Sequence, residues 1–280
     1  MKVALIYPSK RADVSQMPLG LGYLASYVLR ENDDIEVEVL DTGIASEKEL
    51  KAFCNCRYDI VGFSVTSRGY NEAVELAKSF KEADKSIFIA FGGPHVTLLR
   101  EQSIQGPVID FGIYGEGELT LNELLQVLKE SNMERQLEAL SKIKGLIYQN
   151  GAHAVVNPPR ELIRNLDRLP FPAYHLFPMD RYPGKYPMIT SRGCPFRCVF
   201  CAASRAWNGK WRARTAENVV DEVEFVLKHY ATRPIDFHDA AFNVNIKRVH
   251  DICDTFIRRK VRIPWGIRGF RADIIDTETS

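Results

Sequence analysis

From residue 2 to about residue 130, short runs of β-branched and aromatic residues alternate with stretches whose apolar positions recur every three or four residues. The runs at 3–7, 35–40, 59–64, 87–91 and 108–114 predict five strands. Helices are expected between them at 19–30, 47–53, 70–83 and 118–130, with 96–102 as a short fourth crossover. A run such as Ile60-Val61-Gly62-Phe63 lacks the polar alternation of a half-exposed sheet, so both its faces are expected to be covered. The pattern is that of an α/β protein, beginning with a doubly wound, Rossmann-like, five-stranded parallel sheet over residues 1–130.

The rhythm breaks over 131–185. A hairpin is expected at 144–149 and 153–157 around Asn150-Gly151, and after it Pro158, Pro159, Pro170, Pro172, Pro178, Pro183 and Pro187 make a stiff Pro-rich connector. From Tyr186 the alternation resumes, with strands at 188–190, 235–238 and 263–267 and helices at 215–230 and 246–259. A closed (β/α) barrel needs about 250 residues, or roughly 31 per unit. Residues 186–280 accommodate about three units before the polar Thr277-Glu278-Thr279-Ser280, so the first part of a barrel and a piece of a longer protein are expected.

Composition narrows the functional classes. Of 280 residues, 45% are hydrophobic, enough for two cores, and 37 Lys and Arg against 36 Asp and Glu leave a net charge of +1. Such a balance sets up no global field to recruit nucleic acid or an anionic membrane. The first apolar run ends at Pro8, far short of the ~18 residues of a span or a signal h-region of ~7 to 15, so a cytoplasmic location without a membrane span is expected. Three of six cysteines crowd together at Cys194, Cys198 and Cys201, which in a reducing compartment points to a metal site rather than to disulfides. Cys253 reads as a core residue, and Cys54 and Cys56 as packing residues or exposed thiols.

The motif Cys194-x₃-Cys198-x₂-Cys201 follows a strand end bent by Gly193 and Pro195. Soft thiolates favour an iron–sulfur cluster, and three ligands for four irons leave one iron open to a substrate or cofactor. A structural zinc site would need a fourth ligand such as His175 or His238. Between Arg192 and Arg214 stand Arg197, Arg205, Lys210 and Arg212 with no acidic residue, a field that stabilises an anionic cluster and attracts carboxylates. With Trp207 and Trp211 interleaved, the same segment is a candidate nucleic-acid patch, although the charge run stops at the next helix.

At this spacing the sequence resembles the radical S-adenosylmethionine superfamily. The resemblance implies a 4Fe-4S cluster held by the catalytic trio Cys194, Cys198 and Cys201, with the open iron chelated by S-adenosylmethionine and Phe200 near the adenine. One-electron reduction of the sulfonium would then release a 5′-deoxyadenosyl radical. Arg205 or Arg212 would meet the carboxylate of S-adenosylmethionine, and Asp239, in Phe237-His238-Asp239-Ala240-Ala241-Phe242, would accept its amino group or serve instead as a turn or helix cap. His238 is either a satisfied strand-end histidine or a proton carrier, and Arg271 either meets a substrate anion or is solvated.

In a doubly wound sheet, ligands lie beyond the carboxyl ends of the strands. The third strand ends Ser64-Val65-Thr66-Ser67, the fourth Gly92-Gly93-Pro94-His95 and the fifth Gly115-Glu116-Gly117. Gly92 and Gly93 would let a bulky ligand approach the backbone, and Ser64 and Thr66 offer hydroxyls to a nucleotide-like tail. None of these loops is G-x-G-x-x-G, which argues against NAD. The Ser-x-Thr and Gly-Gly steps resemble the cobalamin-binding domain that precedes the radical domain in a large subgroup of these enzymes. That domain's first-loop Asp-x-His-x-x-Gly is absent, since residues 9–18 hold Asp13 but no His. A Rossmann-like domain without cobalamin is the alternative. The resemblance implies methyl transfer to an unactivated carbon or phosphorus centre of a small-molecule or natural-product substrate, with flavodoxin or ferredoxin as reductant. A radical cyclase or oxidase, a cobalamin-free radical enzyme and a non-enzymatic iron–sulfur or zinc module remain alternatives.

Overall fold

The computed structural model describes residues 1–9, 16–130, 133–151 and 153–274. The expectations placed on Asp13 and on Thr277-Glu278-Thr279-Ser280 lie outside the described residues. The chain divides into two compact units: one takes in the chain to Leu162 with Pro170–Pro178, the other Ile163–Leu169, Gln16, Met17 and the chain from Met179.

In the first unit, β1 (Lys2–Tyr7), α1 (Leu19–Glu31), β2 (Glu36–Asp41), α2 (Glu47–Cys54), β3 (Ile60–Ser64), α3 (Tyr70–Ala83), β4 (Phe88–Gly92), α4 (Pro94–Leu99), β5 (Phe111–Ile113) and α5 (Glu118–Leu128) follow the predicted alternation closely. A short helix α6 (Met133–Leu140) and the hairpin β6 (Leu146–Asn150) and β7 (His153–Val156) come next. The sheet order is β2-β1-β3-β4-β5-β6-β7, parallel as far as β5 and antiparallel beyond it. Ile60, Val61, Phe63, Ile89 and Phe91 are buried against Ala73, Ala77 and Phe80, as the continuous apolar runs require.

The expected five-stranded sheet is corrected to seven strands. The hairpin that the sequence places in the connector lies along β5, pairing Phe111 with Tyr148, Gly112 with Ile147 and Ile113 with Leu146. Without it, β5 would be a short apolar edge with bare backbone groups. Gly112 makes the fit possible, since a Cβ there would stand 2.9 Å from Ile104 and 3.2 Å from Ile147. β5 is also shorter than predicted: Asp110 leaves the run and turns its carboxylate to the Ile89 amide at 2.7 Å and to Lys81 at 2.8 Å.

The second unit holds β8 (Tyr186–Met188), β9 (Ser191–Gly193), α7 (Ala202–Trp207), β10 (Trp211–Ala213), α8 (Ala216–His229), β11 (Ile235–Phe237), α9 (Ile246–Arg258) and β12 (Trp265–Ile267). β8, β11 and β12 form a parallel sheet in chain order, the arrangement of successive barrel strands, while β9 and β10 make a separate antiparallel pair. Phe237 packs against Phe242 and Trp265, and Trp265 stacks on Phe256 of α9 with centroids 5.9 Å apart. The helices therefore cover the Phe237 face of this sheet, and Asp236 and His238 face the other way by strand alternation. The first strand of this unit is earlier than the expected 188–190, because Thr190 is drawn out of the sheet by the buried contacts described below. Among the described residues no helix is long and apolar enough to cross a membrane.

Asn157 locks the added hairpin in place. Its buried amide donates to the Leu140 and Ile143 carbonyls at 2.7 and 2.8 Å, and its carbonyl accepts from the Tyr114 hydroxyl. Asn157→Ala removes both side-chain donors, leaving the Leu140 and Ile143 carbonyls only the Ile143 and Leu146 amides at 3.2 and 3.4 Å, and is expected to cost about 2 kcal/mol in urea unfolding followed by circular dichroism.

Candidate functional site

The cysteines lie on an excursion of the chain, 191–213, whose two ends are β9 and β10. Its neck is built from buried charge. Asp239 takes the Thr190 amide at 3.1 Å and the Thr190 hydroxyl at 2.9 Å, and it also accepts from the Ser191 hydroxyl. Arg248, on the buried face of α9, donates to the Thr190 carbonyl at 2.7 Å and to the Arg214 carbonyl at 3.0 Å, so one guanidinium ties the residue before β9 to the residue after β10. Arg214 pairs with the wholly buried Glu222 and donates to the Ile189 carbonyl at 2.9 Å. Burial lowers the Arg248 pKa to about 10, and Asp239 opposes that shift, so the group stays charged at neutral pH. Burial likewise pushes the Asp239 carboxyl up, against the donors of Ser191 and Thr190.

Gly193 turns the chain from β9 into the cysteine loop with φ at +89°, and a Cβ there would meet the Lys210 carbonyl oxygen at 1.9 Å. Only glycine fits. Cys194 is buried, Cys198 and Cys201 are half-buried, and none of the three is in a disulfide. The Cys201 amide donates to the Cys198 carbonyl at 3.0 Å, and Cys201 leads into α7. Between them Val199 and Phe200 are almost fully exposed, at 101% and 89%. Two apolar side chains presented to solvent beside three thiols leave a surface for a ligand to cover. Among the described residues no three His, Cys, Asp or Glu side chains converge on the position of one ion. The thiolates of a cubane bind different irons and need no such convergence, so the donor set fits a cluster better than it fits a structural zinc.

Other candidates fall into place around this loop. Asp239 accepts from Thr190 and Ser191 and sits 3% exposed, which favours the structural alternative at the neck over acceptance of an amino group. Arg212 donates to the Ile163 carbonyl at 2.7 Å and lies over Trp207, whereas Arg205 is exposed on α7. The Trp211 indole donates to the Ala241 carbonyl at 3.2 Å and the Arg248 guanidinium lies over its ring, so the two tryptophans are engaged within the fold instead of forming an open stacking platform. Arg271 pairs with Asp273 at 2.6 Å, lies 3.8 Å over the Phe196 ring and faces the Cys198 thiol. On the face of the sheet away from the helices, Asp236 accepts from Gln16, Arg268 and His238 at 2.8–3.0 Å. His238 is thus a partnered histidine, and burial, only partly offset by Asp236, lowers its pKa.

In the first unit the predicted loops meet at the carboxyl end of the sheet. Ser64 pairs in register with Gly92, the Val65 amide donates to the Gly92 carbonyl at 2.9 Å, and the His95 amide donates to the Val65 carbonyl at 3.1 Å. Thr66 closes a turn by accepting from the Gly69 amide at 3.2 Å. Gly93 departs from its expected role. Its φ is +88°, and a Cβ would stand 2.9 Å from both the nitrogen and the oxygen of Val65, so the close approach that requires glycine is made by β3's own continuation and not by a ligand. Gly92 has only ordinary contacts where a Cβ would be. Thr97 ties the two neighbouring loops, donating to the Gly93 carbonyl at 2.9 Å and accepting from the Gly115 amide at 3.1 Å. Gly115 itself borders open space. The hydroxyls of Ser64 and Thr66 and the open ground beside Gly115 fit a large polar ligand.

Residues 12–125 match the model of the B12 binding domain, and residues 188–277 match the radical SAM superfamily. The chain joins a B12-binding domain to a radical SAM domain. It is 35% identical to an uncharacterized methyltransferase of Pyrococcus horikoshii over 95% of this chain and 59% of that protein. It is 26% identical to the anaerobic magnesium-protoporphyrin IX monomethyl ester cyclase of Rubrivivax gelatinosus over 99% of this chain and 52% of that one. The solved structure of the cobalamin-dependent S-adenosylmethionine radical enzyme OxsB, with aqua-cobalamin and S-adenosylmethionine bound, superposes with a TM-score of 0.81 at 22% identity, over 100% of this chain and 40% of that one. The chain therefore spans little more than half the length of these curated relatives. A B12-binding domain followed by a radical SAM domain implies cobalamin, S-adenosylmethionine and a 4Fe-4S cluster.

Arg248 and the contacts of His95 with Ser67 and Tyr70 escaped the sequence reading. A lone arginine three residues after the Asn245 cap, on the same face as Val249, Ile252 and Phe256, was the available signal for the first. In the radical SAM domain, Asp236 provides a test by pH. Burial works against its charge, but Gln16, Arg268 and His238 hold its carboxyl down at about 2, against 3.8 unfolded. Its stabilisation is complete above about pH 4 and lost as pH falls toward 2. The gap in unfolding free energy between parent and Asp236→Asn, about 2 kcal/mol at pH 6, is expected to close over that window in denaturant titrations.

Proposed function

We propose that this chain is the cofactor-binding part of a cobalamin-dependent radical S-adenosylmethionine methyltransferase that acts on an unactivated carbon or phosphorus centre of a small-molecule substrate. The observation that carries this reading is the 191–213 excursion: three cysteines outside any disulfide on one clamped loop with Phe200 exposed between them, in a chain whose other unit is a B12-binding domain. When bound, the cluster supplies one electron to the sulfonium of S-adenosylmethionine and cobalamin supplies the methyl group.

The chain's own residues have separable tasks. Cys194, Cys198 and Cys201 would hold the cluster, and Gly193 fixes the turn that aims them. Asp239 and Arg248 hold the neck of the loop, so the thiols are presented from a rigid base. Val199 and Phe200 would cover the adenine and exclude water, which protects a reactive intermediate from side reactions. The exposed Arg205 would meet the carboxylate of S-adenosylmethionine. Ser64 and Thr66 would donate to cobalamin, with Gly92 and Gly93 shaping the loop beside them. A one-electron protein reductant such as flavodoxin or ferredoxin completes the system. The likeness to a cyclase favours ring closure as a second reading, which identification of the product would separate from methylation.

Anaerobic reconstitution tests the proposal. The parent chain is expected to take up iron and sulfide at cluster stoichiometry and to release 5′-deoxyadenosine from S-adenosylmethionine under reduction. Cys198→Ala is expected to lose that release by at least a hundredfold, and release at the parent's rate would remove Cys198 from the ligand set.

A further inference from the structure

The B12-binding domain carries a histidine that its motif does not supply. His95 stands in the first turn of α4, with Nδ1 3.0 Å from the Ser67 hydroxyl and its amide bonded to Val65. Its ring lies against Tyr70, centroids 4.5 Å apart and planes tilted by 35°, and Tyr70 in turn meets the buried Phe91 edge-on at 6.1 Å. The imidazole is therefore fixed in position and orientation by an aromatic column rooted in β4. Burial keeps its pKa below the usual histidine value, so it is neutral at pH 7. Among the described residues Nε2 has no partner, and with Nδ1 engaged by Ser67 it is the one ring nitrogen left to meet a ligand.

The surrounding chemistry identifies what that ligand is. The two loops that frame the ring, 64–69 and 92–97, contain the hydroxyls of Ser64, Thr66, Ser67 and Thr97, one arginine, Arg68, and no carboxylate. Hydroxyls and an imidazole with no carboxylate in either loop suit an oxyanion flanked by sugar hydroxyls. Cobalamin has one such part, the phosphodiester and ribose of its nucleotide tail, whereas the rim of the corrin is made of neutral amides. We propose that His95, oriented by Ser67 and Tyr70, binds the nucleotide tail of cobalamin through Nε2, an assignment that rests on the cobalamin reading of this domain. His95 then selects for the complete cofactor over corrinoids that lack the nucleotide.

The test compares hydroxocobalamin with dicyanocobinamide, the corrin without its nucleotide, as ligands of the full chain, with binding followed by absorption and by retention through gel filtration. The parent is expected to bind hydroxocobalamin the more tightly. His95→Ala should weaken hydroxocobalamin by about 10- to 100-fold, the range for a lost hydrogen bond to a charged group, while changing cobinamide by less than about twofold. His95→Gln, which keeps a donor, should recover part of the loss. Equal losses for both ligands, or no loss for either, would overturn the assignment. So would an imidazole-ligated cobalt spectrum in the parent that disappears in His95→Ala, because it would place the ring on cobalt. A parent chain that binds neither corrinoid would remove the cobalamin reading itself, an outcome distinct from selective failure at His95.

Discussion

The guanidinium of Arg248 binds two carbonyls that lie on either side of a long detour of the chain, and the presentation of the cysteines rests on that bridge and the buried groups around it. Left to itself, the 191–213 excursion has little to hold it: β9 and β10 are three residues each, α7 is six, and its middle exposes Val199 and Phe200. Closing such a loop costs entropy, which contacts at its ends must offset. The fold meets that cost with buried ions, Arg248 and Arg214 against Asp239 and Glu222. Buried ions are expensive to desolvate and stabilise only when nearly every lone pair and proton is satisfied. Here Thr190, Ser191, Ile189 and Asn218 supply most of those partners, with Arg248 Nη1 left without one among the described residues, and the network specifies one path for the chain at the point where the thiols must be aimed.

The B12-binding domain reaches a similar end with neutral groups. Its strands are parallel, so their carboxyl ends leave loops side by side, and Val65, Gly93, Thr97 and Gly115 stitch three of those loops together through backbone and hydroxyl hydrogen bonds. A preformed loop cluster spares a ligand the ordering cost of assembling its own site. The difference between the units follows from their loops: short turns close with amides and hydroxyls, while a 23-residue excursion needs charged anchors reaching in from a neighbouring helix.

Much of this architecture was legible along the chain. The apolar runs at β1 to β4 and the helical periods between them appear in the structure within a residue or two, because both faces of those strands are covered and the pattern carries the whole signal. The elements that shifted are those whose limits depend on partners far away in sequence. β5 stops short because Asp110 turns to Ile89 and Lys81, the hairpin joins the first sheet because β5 needs a neighbour, and β8 ends before Thr190 because Asp239 and Arg248 take that residue. At Gly93 the residue type was informative and the inferred cause was not, since the space a side chain would occupy belongs to Val65.

By itself the sequence determined the order of the two domains, the parallel character of their sheets and the three cysteines at cluster spacing, since periodicity and short-range spacing are local properties of the chain. Only the tertiary structure decided that Asp239 is a fastening at the neck of the cysteine loop, that an arginine on a helix closes that loop, and that His95 stands oriented on an aromatic column with one nitrogen free. Hydrogen bonds and ring contacts of that kind join residues dozens of positions apart, and no local pattern records which of many possible partners a polar side chain will find once the backbone is folded.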